Sequence, residues 1–208
     1  MSEGIRDGVA CSAGISAVIL AGGRGSRMGG VDKGLIEVAG TALIDRTLTA
    51  LRPQVSTVLI NANRNREAYA RRGCPVLADA TPDYDGPLAG MAAALAVIET
   101  PWLLAVPCDC PQLAPDLAAR LLAAAEAAGA ELAVAHDGER LQPVFVLLHR
   151  DLRVPLAQYL DGGGRKLEHW YRSRRMTEAD FSDRPQTFVN LNSPDEKSAY
   201  EANRPPAG

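Results

Sequence analysis

A segment rich in glycine and in positive charge follows the first apolar run of the chain. Residues 20–34 read LAGGRGSRMGGVDKG and contain Arg24, Arg27 and Lys33, although the whole chain carries a net charge of −3. Glycines let consecutive backbone N–H groups converge on an anion, and the cations would neutralise part of the charge of a triphosphate. The segment therefore predicts a phosphate-binding loop. The alternative is a surface loop whose cations are solvated.

Two common phosphate-binding patterns do not fit this segment. The Walker A pattern needs Ser or Thr after its Gly-Lys pair, but Gly34 follows Lys33. A G-x-G-x-x-G fingerprint that started at Gly23 and Gly25 would place its third glycine at Met28. The loop is therefore not typical of a P-loop NTPase or a dinucleotide-binding dehydrogenase, and we expect it to wrap around a whole triphosphate.

Polar side chains also follow three other predicted strands, and these side chains are Asn61, Asp79 and Asp109. In open α/β sheets, ligands bind beyond the carboxyl ends of the strands. An aspartate next to a buried strand is costly to bury without a partner, and Mg²⁺ takes one or two carboxylates together with phosphate oxygens. Asp109 is therefore a candidate Mg²⁺ ligand. Both aspartates could instead be helix N-caps.

The elements that would position these residues alternate between strands and helices. This alternation predicts an α/β fold: one doubly wound, mostly parallel sheet with helices on both faces, to which the last third adds strands and helices at one edge. We expect a flexible N-terminal tail over 1–15 and one domain over 16–203. Ser193, with Glu196 three residues later, predicts the start of a final helix. The predicted strands are 17–21, 55–60, 76–78, 102–106, 132–135 and 144–148, and the predicted helices are 43–51, 66–71, 87–99 and 115–128.

Composition excludes several classes of protein. No apolar run reaches the roughly 18–20 residues that span a bilayer, and the N-terminus lacks an apolar signal core, so we expect a cytoplasmic protein without a membrane partner. Local basic clusters on an acidic chain fit a small anionic ligand better than nucleic acid. The four cysteines lack the spacing of a zinc site or of a disulfide framework.

Several blocks of sequence, in order, resemble one family. They follow the LAGG opening and are GGVDKG at 29–34, NANR at 61–64, DGPLAG at 85–90, PCD at 107–109 and FVNLNSPDE at 188–196. The opening alone resembles the nucleotidyltransferases with a Rossmann-like fold. Together the blocks resemble the bacterial molybdenum cofactor guanylyltransferases, and this resemblance runs from about Ser16 to about Ala202.

The resemblance implies roles for individual residues. The nucleotide would be bound by Leu20, Ala21, Gly22, Gly23, Lys33, Asn61, Asp79 and Asp109. Asp109 would also hold Mg²⁺, and the catalytic charges would be Lys33, Asp109 and Arg27. Gly90, Asn190 and Asn192 would lie near the pterin substrate.

The reaction that the resemblance implies is nucleotidyl transfer. The terminal phosphate of molybdenum–molybdopterin attacks the α-phosphorus of GTP, pyrophosphate leaves, and the guanine dinucleotide cofactor forms. A phosphate monoester has a second pKa of about 6, so the attacking group needs no general base at neutral pH. The implied partners are GTP, molybdopterin with or without its metal, and proteins that deliver or accept the cofactor.

Three other functions stay open from the sequence. A molybdenum cofactor cytidylyltransferase would be expected to carry LAAG where this chain has LAGG. A sugar- or polyol-phosphate nucleotidyltransferase would lack the 107–109 and 190–192 blocks, and a non-catalytic nucleotide-binding regulator would not need both Lys33 and Asp109. The basic stretch 165–175 could bind the cofactor or a protein, but we favour a solvated amphipathic helix with Trp170 packed on the core.

Overall fold

The computed structural model describes residues 12–21, 32–80, 86–191 and 193–202. The strands are β1 (Ser12–Leu20), β2 (Glu37–Val38), β3 (Thr41–Ala42), β4 (Val55–Asn61), β5 (Val76–Leu77), β6 (Trp102–Pro107), β7 (Leu132–His136), β8 (Leu141–His149) and β9 (Met176–Asp180). The helices are α1 (Leu43–Leu51), α2 (Arg66–Ala70), α3 (Pro87–Leu95), α4 (Leu117–Ala128), α5 (Arg153–Asp161), α6 (Leu167–Arg172) and α7 (Pro194–Ala202).

A seven-stranded sheet in the order β5-β4-β1-β6-β8-β7-β9 forms the centre of the fold. All neighbouring strands are parallel except β8, which is antiparallel to both β6 and β7. The turn between β7 and β8 spans only residues 137–140, and so short a connection allows only antiparallel pairing. The small hairpin β2–β3 lies outside this sheet.

Helices cover both faces of the sheet, as the sequence predicts. Alternate residues of β1 point to opposite faces: Ala17 and Ile19 pack with the buried side chains of α1 and α4, whereas Val18 packs with those of α3, α5 and α6. Burial on both faces explains why the central strands are continuous apolar runs in the sequence. The doubly wound, mostly parallel α/β fold is confirmed.

The basic stretch 165–175 contributes to one of these faces. Trp170 and Tyr171, in α6, are 0% and 1% exposed, while His169 and Arg172 on the same helix are exposed. The predicted amphipathic helix with Trp170 packed on the core is present at Leu167–Arg172, and whether its exposed face binds a partner stays a prediction.

Several element boundaries differ from those predicted. β1 begins at Ser12 and so includes residues 12–15, which the sequence assigns to the tail. α3 ends at Leu95 rather than at residue 99. The N-caps of α3 and α4 are Gly86 and Asp116, so the alternative that made Asp79 and Asp109 the caps of these helices is wrong.

Two polar contacts fix the ends of helices. In α7, the Ser193 N–H donates to Glu196 Oε2 at 3.0 Å and the Glu196 N–H donates to Ser193 Oγ at 3.2 Å, which is the predicted capping box. In α4, Arg120 donates to both carboxylate oxygens of Asp183, at 2.6 and 2.8 Å, and so ties the helix to the segment after β9. These hydrogen bonds from Arg120 lower the pKa of Asp183 to about 2.

Candidate nucleotidyl-transfer site

The strand ends that carry the candidate residues lie side by side. Leu20 of β1 pairs with Asn61 of β4 on one side and with Pro107 of β6 on the other, and Asn61 pairs in turn with Leu77 of β5. One row of paired residues therefore crosses four parallel strands at their carboxyl ends. Asp79 and Asp109 each follow a member of this row by two residues, so the structure brings them to the same edge.

An ion pair occupies the β6 end of this edge. Lys33 lies in a 3₁₀ turn, Lys33–Leu35, and its Nζ is 3.1 Å from Asp109 Oδ2. The two side chains are 28% and 13% exposed, so both charges are largely withdrawn from water. An opposite charge at this distance offsets the cost of that burial. The sequence predicts both residues for the site, and the structure places them in direct contact.

The second carboxylate oxygen of Asp109 is suited to bind a metal ion. Asp109 Oδ1 is buried and has no hydrogen-bond partner among the residues that the structure describes. No group of three or more His, Cys, Asp or Glu side chains suited to a metal occurs in the described ranges. A hard cation here would therefore take Asp109 and complete its shell with ligand and water oxygens, as Mg²⁺ does with nucleotide phosphates.

Three polar side chains form a closed network at the ends of β4 and β5. Asn61 Nδ2 and Asn63 Nδ2 donate to the two oxygens of Asp79, at 2.9 and 2.7 Å. The Asp79 N–H donates back to Asn63 Oδ1 at 2.9 Å. Because Asn61 is only 3% exposed, its amide is held rigidly, and the network presents fixed polar atoms beside Leu20.

A close backbone approach explains the glycine at position 90. The buried Gly90 in α3 faces both Leu20 and Asn61: a Cβ built there would overlap Asn61 Oδ1 and lie 2.7 Å from Leu20 Cδ2. The strand ends are also tied to each other, since the Ala21 N–H donates to Asn61 O at 2.8 Å and the Cys108 N–H donates to Leu20 O at 3.2 Å. Gly90 thus lies beside Leu20 and Asn61, two of the residues that the sequence predicts to bind the nucleotide.

A buried hydroxyl–carboxylate pair lies next to Lys33 in the chain, and the sequence analysis missed it. Tyr69 OH donates to Asp32 Oδ1 at 2.7 Å, and Asn65 Nδ2 lies 3.4 Å from Asp32 Oδ2. Tyr69 is 0% and Asp32 is 5% exposed. Burial is the main cause that raises the pKa of Tyr69 far above its usual value, so the hydroxyl remains a donor. Gly34 packs against the Tyr69 ring, where a Cβ would lie 2.6 Å from the hydroxyl oxygen.

Asn190 reaches the other side of Asp109. The Leu191 N–H donates to Asp109 O at 3.0 Å, and the Cys110 thiol donates to Asn190 Oδ1 with an Sγ–Oδ1 distance of 2.7 Å. Burial raises the pKa of Cys110, so its thiol stays protonated. This contact leaves the Asn190 amide nitrogen facing away from Cys110.

Four of the predicted site residues lie outside the described residues, so their roles remain predictions: Gly22, Gly23, Arg27 and Asn192. Cys74, Cys108 and Cys110 are free thiols. Among the described helices, none is long and apolar enough to cross a membrane.

The fold and the site together define a nucleotidyltransferase. Residues 17–178 match the family model described as the MobA-like NTP transferase domain. The fold is similar to that of molybdopterin-guanine dinucleotide biosynthesis protein A from Archaeoglobus fulgidus, with a TM-score of 0.76 and 20% identity over 90% of this chain and 97% of that one. It is also similar to 4-diphosphocytidyl-2C-methyl-D-erythritol synthase from Anaerococcus prevotii, with a TM-score of 0.69 and 11% identity over 91% and 95% of the two chains.

Relatives with greater sequence similarity identify the family within this class. A molybdenum cofactor guanylyltransferase from Shewanella sp. (strain MR-4) is 52% identical over 188 residues, which cover 90% of this chain and 95% of the relative. Another, from Shewanella woodyi, is 48% identical over 183 residues, which cover 88% and 93%. The chain belongs to the molybdenum cofactor guanylyltransferase family.

Proposed function

We propose that the protein transfers GMP from GTP to the terminal phosphate of molybdenum–molybdopterin, releasing pyrophosphate and forming molybdopterin guanine dinucleotide. Membership of the family supports the substrates. The observation that carries the proposal is the Lys33–Asp109 pair at the carboxyl edge of the sheet, in which Asp109 Oδ1 has no hydrogen-bond partner among the described residues.

The nucleotide would lie across the ends of β5, β4 and β1. The Asn61–Asp79 network offers polar atoms of fixed position to a base and ribose, and the backbone hydrogen bonds at Leu20 and Ala21 hold the neighbouring strand ends in place. The glycine loop, with Gly22, Gly23 and Arg27, would cover the phosphates. Lys33 would contact them from the β6 side, since its ammonium group already lies at that end of the edge.

The chemical step needs charge neutralisation more than proton transfer. The attacking phosphate monoester is mostly dianionic at neutral pH because its second pKa is about 6. Two unit charges about 4 Å apart repel by about 4 kcal/mol at an effective dielectric constant of 20, and both reacting groups carry more than one charge. Lys33, and Arg27 in the glycine loop, would offset this repulsion and position the phosphates for in-line attack.

A divalent metal is the expected cofactor, and Asp109 is the residue that would hold it through Oδ1. When bound, Mg²⁺ would supply positive charge that stabilises the phosphates of the nucleotide and of the leaving group. The second oxygen of Asp109 keeps Lys33 in place, so one carboxylate would serve both positive charges. We further propose that the enzyme acts in the cytoplasm and exchanges its product with proteins that deliver or accept the cofactor.

The test is to incubate the protein with molybdenum–molybdopterin, Mg²⁺ and GTP, and to search for the guanylated pterin by mass spectrometry. CTP replaces GTP in a parallel reaction. A guanylated product and stoichiometric pyrophosphate are expected with GTP only. A cytidylated product would assign the chain to the cytidyl-transfer alternative, and no product with either nucleotide would refute the proposed function.

A further inference from the structure

Asp32, the residue immediately before Lys33, connects the turn that carries this lysine to α2. Asp32 is 5% exposed, and a carboxylate is costly to bury unless hydrogen-bond donors meet it. The donors come from a distant part of the chain: Tyr69 OH donates to Oδ1 at 2.7 Å, and Asn65 Nδ2 lies 3.4 Å from Oδ2. Each oxygen of the Asp32 carboxylate is therefore held by a residue at the start or on the inner side of α2.

Asn65 directs its amide to Asp32 instead of capping its own helix. It is the N-cap residue of α2, a position at which an asparagine side chain commonly accepts from an N–H group of the first turn. Here the side chain makes no capping hydrogen bond. The backbone is left-handed, with a φ of 48°, a conformation that asparagine tolerates better than most residues. In this conformation the Asn65 amide meets the Asp32 carboxylate.

Tyr69 also determines how the next part of the turn packs. Its side chain is 0% exposed and lies in the core on the face of the sheet that α1 and α4 cover, so the ring has a fixed place. Gly34 lies against this ring, where a Cβ would come within 2.6 Å of the hydroxyl oxygen. Asp32 and Gly34 thus both contact Tyr69, the first through a hydrogen bond and the second through packing. Lys33 lies between them in the chain.

The backbone of the turn carries this restraint to the lysine. The Leu35 N–H donates to Asp32 O at 2.9 Å. The following N–H, of Ile36, donates to Lys33 O at 3.1 Å. From this hydrogen-bonded turn the Lys33 side chain reaches Asp109, with 3.1 Å between Nζ and Oδ2. Because the lysine stem is long and flexible, a fixed backbone limits the positions that the ammonium group can take.

Asp32 lies within electrostatic range of the same end of β6. Burial is the main cause that raises the pKa of the Cys108 thiol, and the carboxylates of Asp109 and Asp32 raise it further. The charge of Lys33 lowers the same pKa. All three charges therefore act on one buried group beside the candidate metal ligand.

We propose that Tyr69 is a positioning residue for the triphosphate: through Asp32 and Gly34 it sets the place from which Lys33 meets the phosphates. The proposal rests on the proposed function, which assigns Lys33 to the triphosphate. Tyr69 is fully buried and its hydroxyl is bonded to Asp32, so its effect on GTP binding passes through the lysine.

A double-mutant cycle of Tyr69→Phe and Lys33→Ala tests this role, with GTP dissociation constants measured by calorimetric titration in Mg²⁺. Tyr69→Phe keeps the ring and deletes the donor to Asp32. It is expected to raise the GTP dissociation constant about threefold where Lys33 is present, and to have no effect in the Lys33→Ala background. Urea unfolding should show a loss of stability in both backgrounds, because Asp32 loses its donor in each.

Tyr171→Phe is the matched control. Tyr171 is 1% exposed and its hydroxyl donates to Pro143 O at 2.8 Å, but it packs in the core on the other face of the sheet. This variant should lose stability and keep wild-type GTP affinity. Asn65→Gly is a second test: the position is exposed, glycine adopts the left-handed backbone freely, and the amide donor to Asp32 is removed. It should raise the GTP dissociation constant about twofold, again only where Lys33 is present.

The outcomes separate the two proposals. Wild-type GTP affinity in a folded Tyr69→Phe protein would overturn the positioning role. An equal loss of affinity with and without Lys33, or a loss of the same size in Tyr171→Phe, would also overturn it, because the effect would then be a general one. If Tyr69→Phe does not fold, the cycle of Asn65→Gly with Lys33→Ala decides by the same criteria. The proposed function fails separately, if the wild type binds GTP but forms no guanylated pterin.

Discussion

Replacement of Gly90 by alanine tests whether Asn61 must keep its position for nucleotide binding. A Cβ at residue 90 would lie 2.8 Å from Asn61 Cγ and 2.7 Å from Leu20 Cδ2, whereas real Cβ atoms essentially never approach another heavy atom within 3.0 Å. The Leu20 methyl group can move aside. Asn61 is buried and bonded to Asp79, so its displacement breaks the polar network.

The expected change in the free energy of unfolding combines one stabilising and two destabilising contributions. Alanine in place of glycine inside a helix gains about 1 kcal/mol. Overpacking of a filled interior costs about 1–3 kcal/mol, and loss of the Asn61–Asp79 hydrogen bond costs about 1 kcal/mol more. We therefore expect Gly90→Ala to lower the free energy of unfolding by about 1–3 kcal/mol. If Asn61 contacts the nucleotide, its loss of position should raise the GTP dissociation constant about tenfold.

Urea unfolding measures the first effect, and calorimetric titration with GTP and Mg²⁺ measures the second. Gly162→Ala is a suitable control: Gly162 has a φ of −74° at the end of α5, and the nearest atom to its added Cβ would be 3.4 Å away. That variant should match the wild type in GTP affinity. In an Asn61→Ala background, Gly90→Ala should cost little further stability, because the main overlap is gone, while GTP affinity stays low. Wild-type stability and GTP affinity in Gly90→Ala would refute the reasoning.

Four other substitutions probe the remaining contacts. Lys33→Ala should weaken GTP binding about tenfold by titration, because it deletes the proposed partner of the triphosphate; unchanged affinity would mean that Lys33 does not contact the triphosphate. Asp109→Asn should abolish pyrophosphate release with an unchanged circular dichroism spectrum, and near wild-type release would remove it from the metal site. Tyr69→Phe leaves Asp32 Oδ1 buried without its donor and should cost about 1–3 kcal/mol in urea unfolding; equal stability would contradict this. The ion-paired Asp183 has a folded pKa of about 2, below the unfolded value of about 3.9, so its stabilisation is present above pH 4 and is lost as the pH falls towards 2. Asp183→Asn should therefore be less stable than wild type at pH 6, and the difference should shrink as the pH falls through 2; a constant difference across this range would be the contrary result.

Local sequence patterns determine the elements that could be predicted. The bounds of α1 match the prediction residue for residue, because its buried positions recur with helical spacing and Pro53 follows closely. The predicted end of α3 is too late, since residues 96–99, which read AVIE, contain no glycine or proline as a stop signal before Thr100 and Pro101. Because Asn61, Asp79 and Asp109 each follow a predicted strand, the sequence alone predicts that they lie at one edge of the sheet.

Contacts between distant parts of the chain could not be predicted in this way. Tyr69 and Asp32 are 37 residues apart, and Cys110 and Asn190 are 80 residues apart. Neither hydrophobic periodicity nor residue spacing predicts which distant polar residue will form a hydrogen bond with a given buried side chain. A clue existed for Asp32, because a carboxylate at a buried position needs a donor, but the donor itself is identified only by the fold.

If Lys33 binds the triphosphate and Asp109 holds the metal, as we propose, their direct contact should link nucleotide binding to metal binding. Without a ligand, each side chain offsets the other's charge, and both are mostly buried. A triphosphate that draws the ammonium group towards its own oxygens leaves the carboxylate with excess negative charge, which raises its attraction for a cation. A cation on Asp109 in turn lowers the cost of releasing Lys33 to the phosphates. Since coupling of this kind is reciprocal, GTP should bind more tightly with Mg²⁺ than without it, and Asp109→Asn should reduce this difference even where the variant still binds GTP.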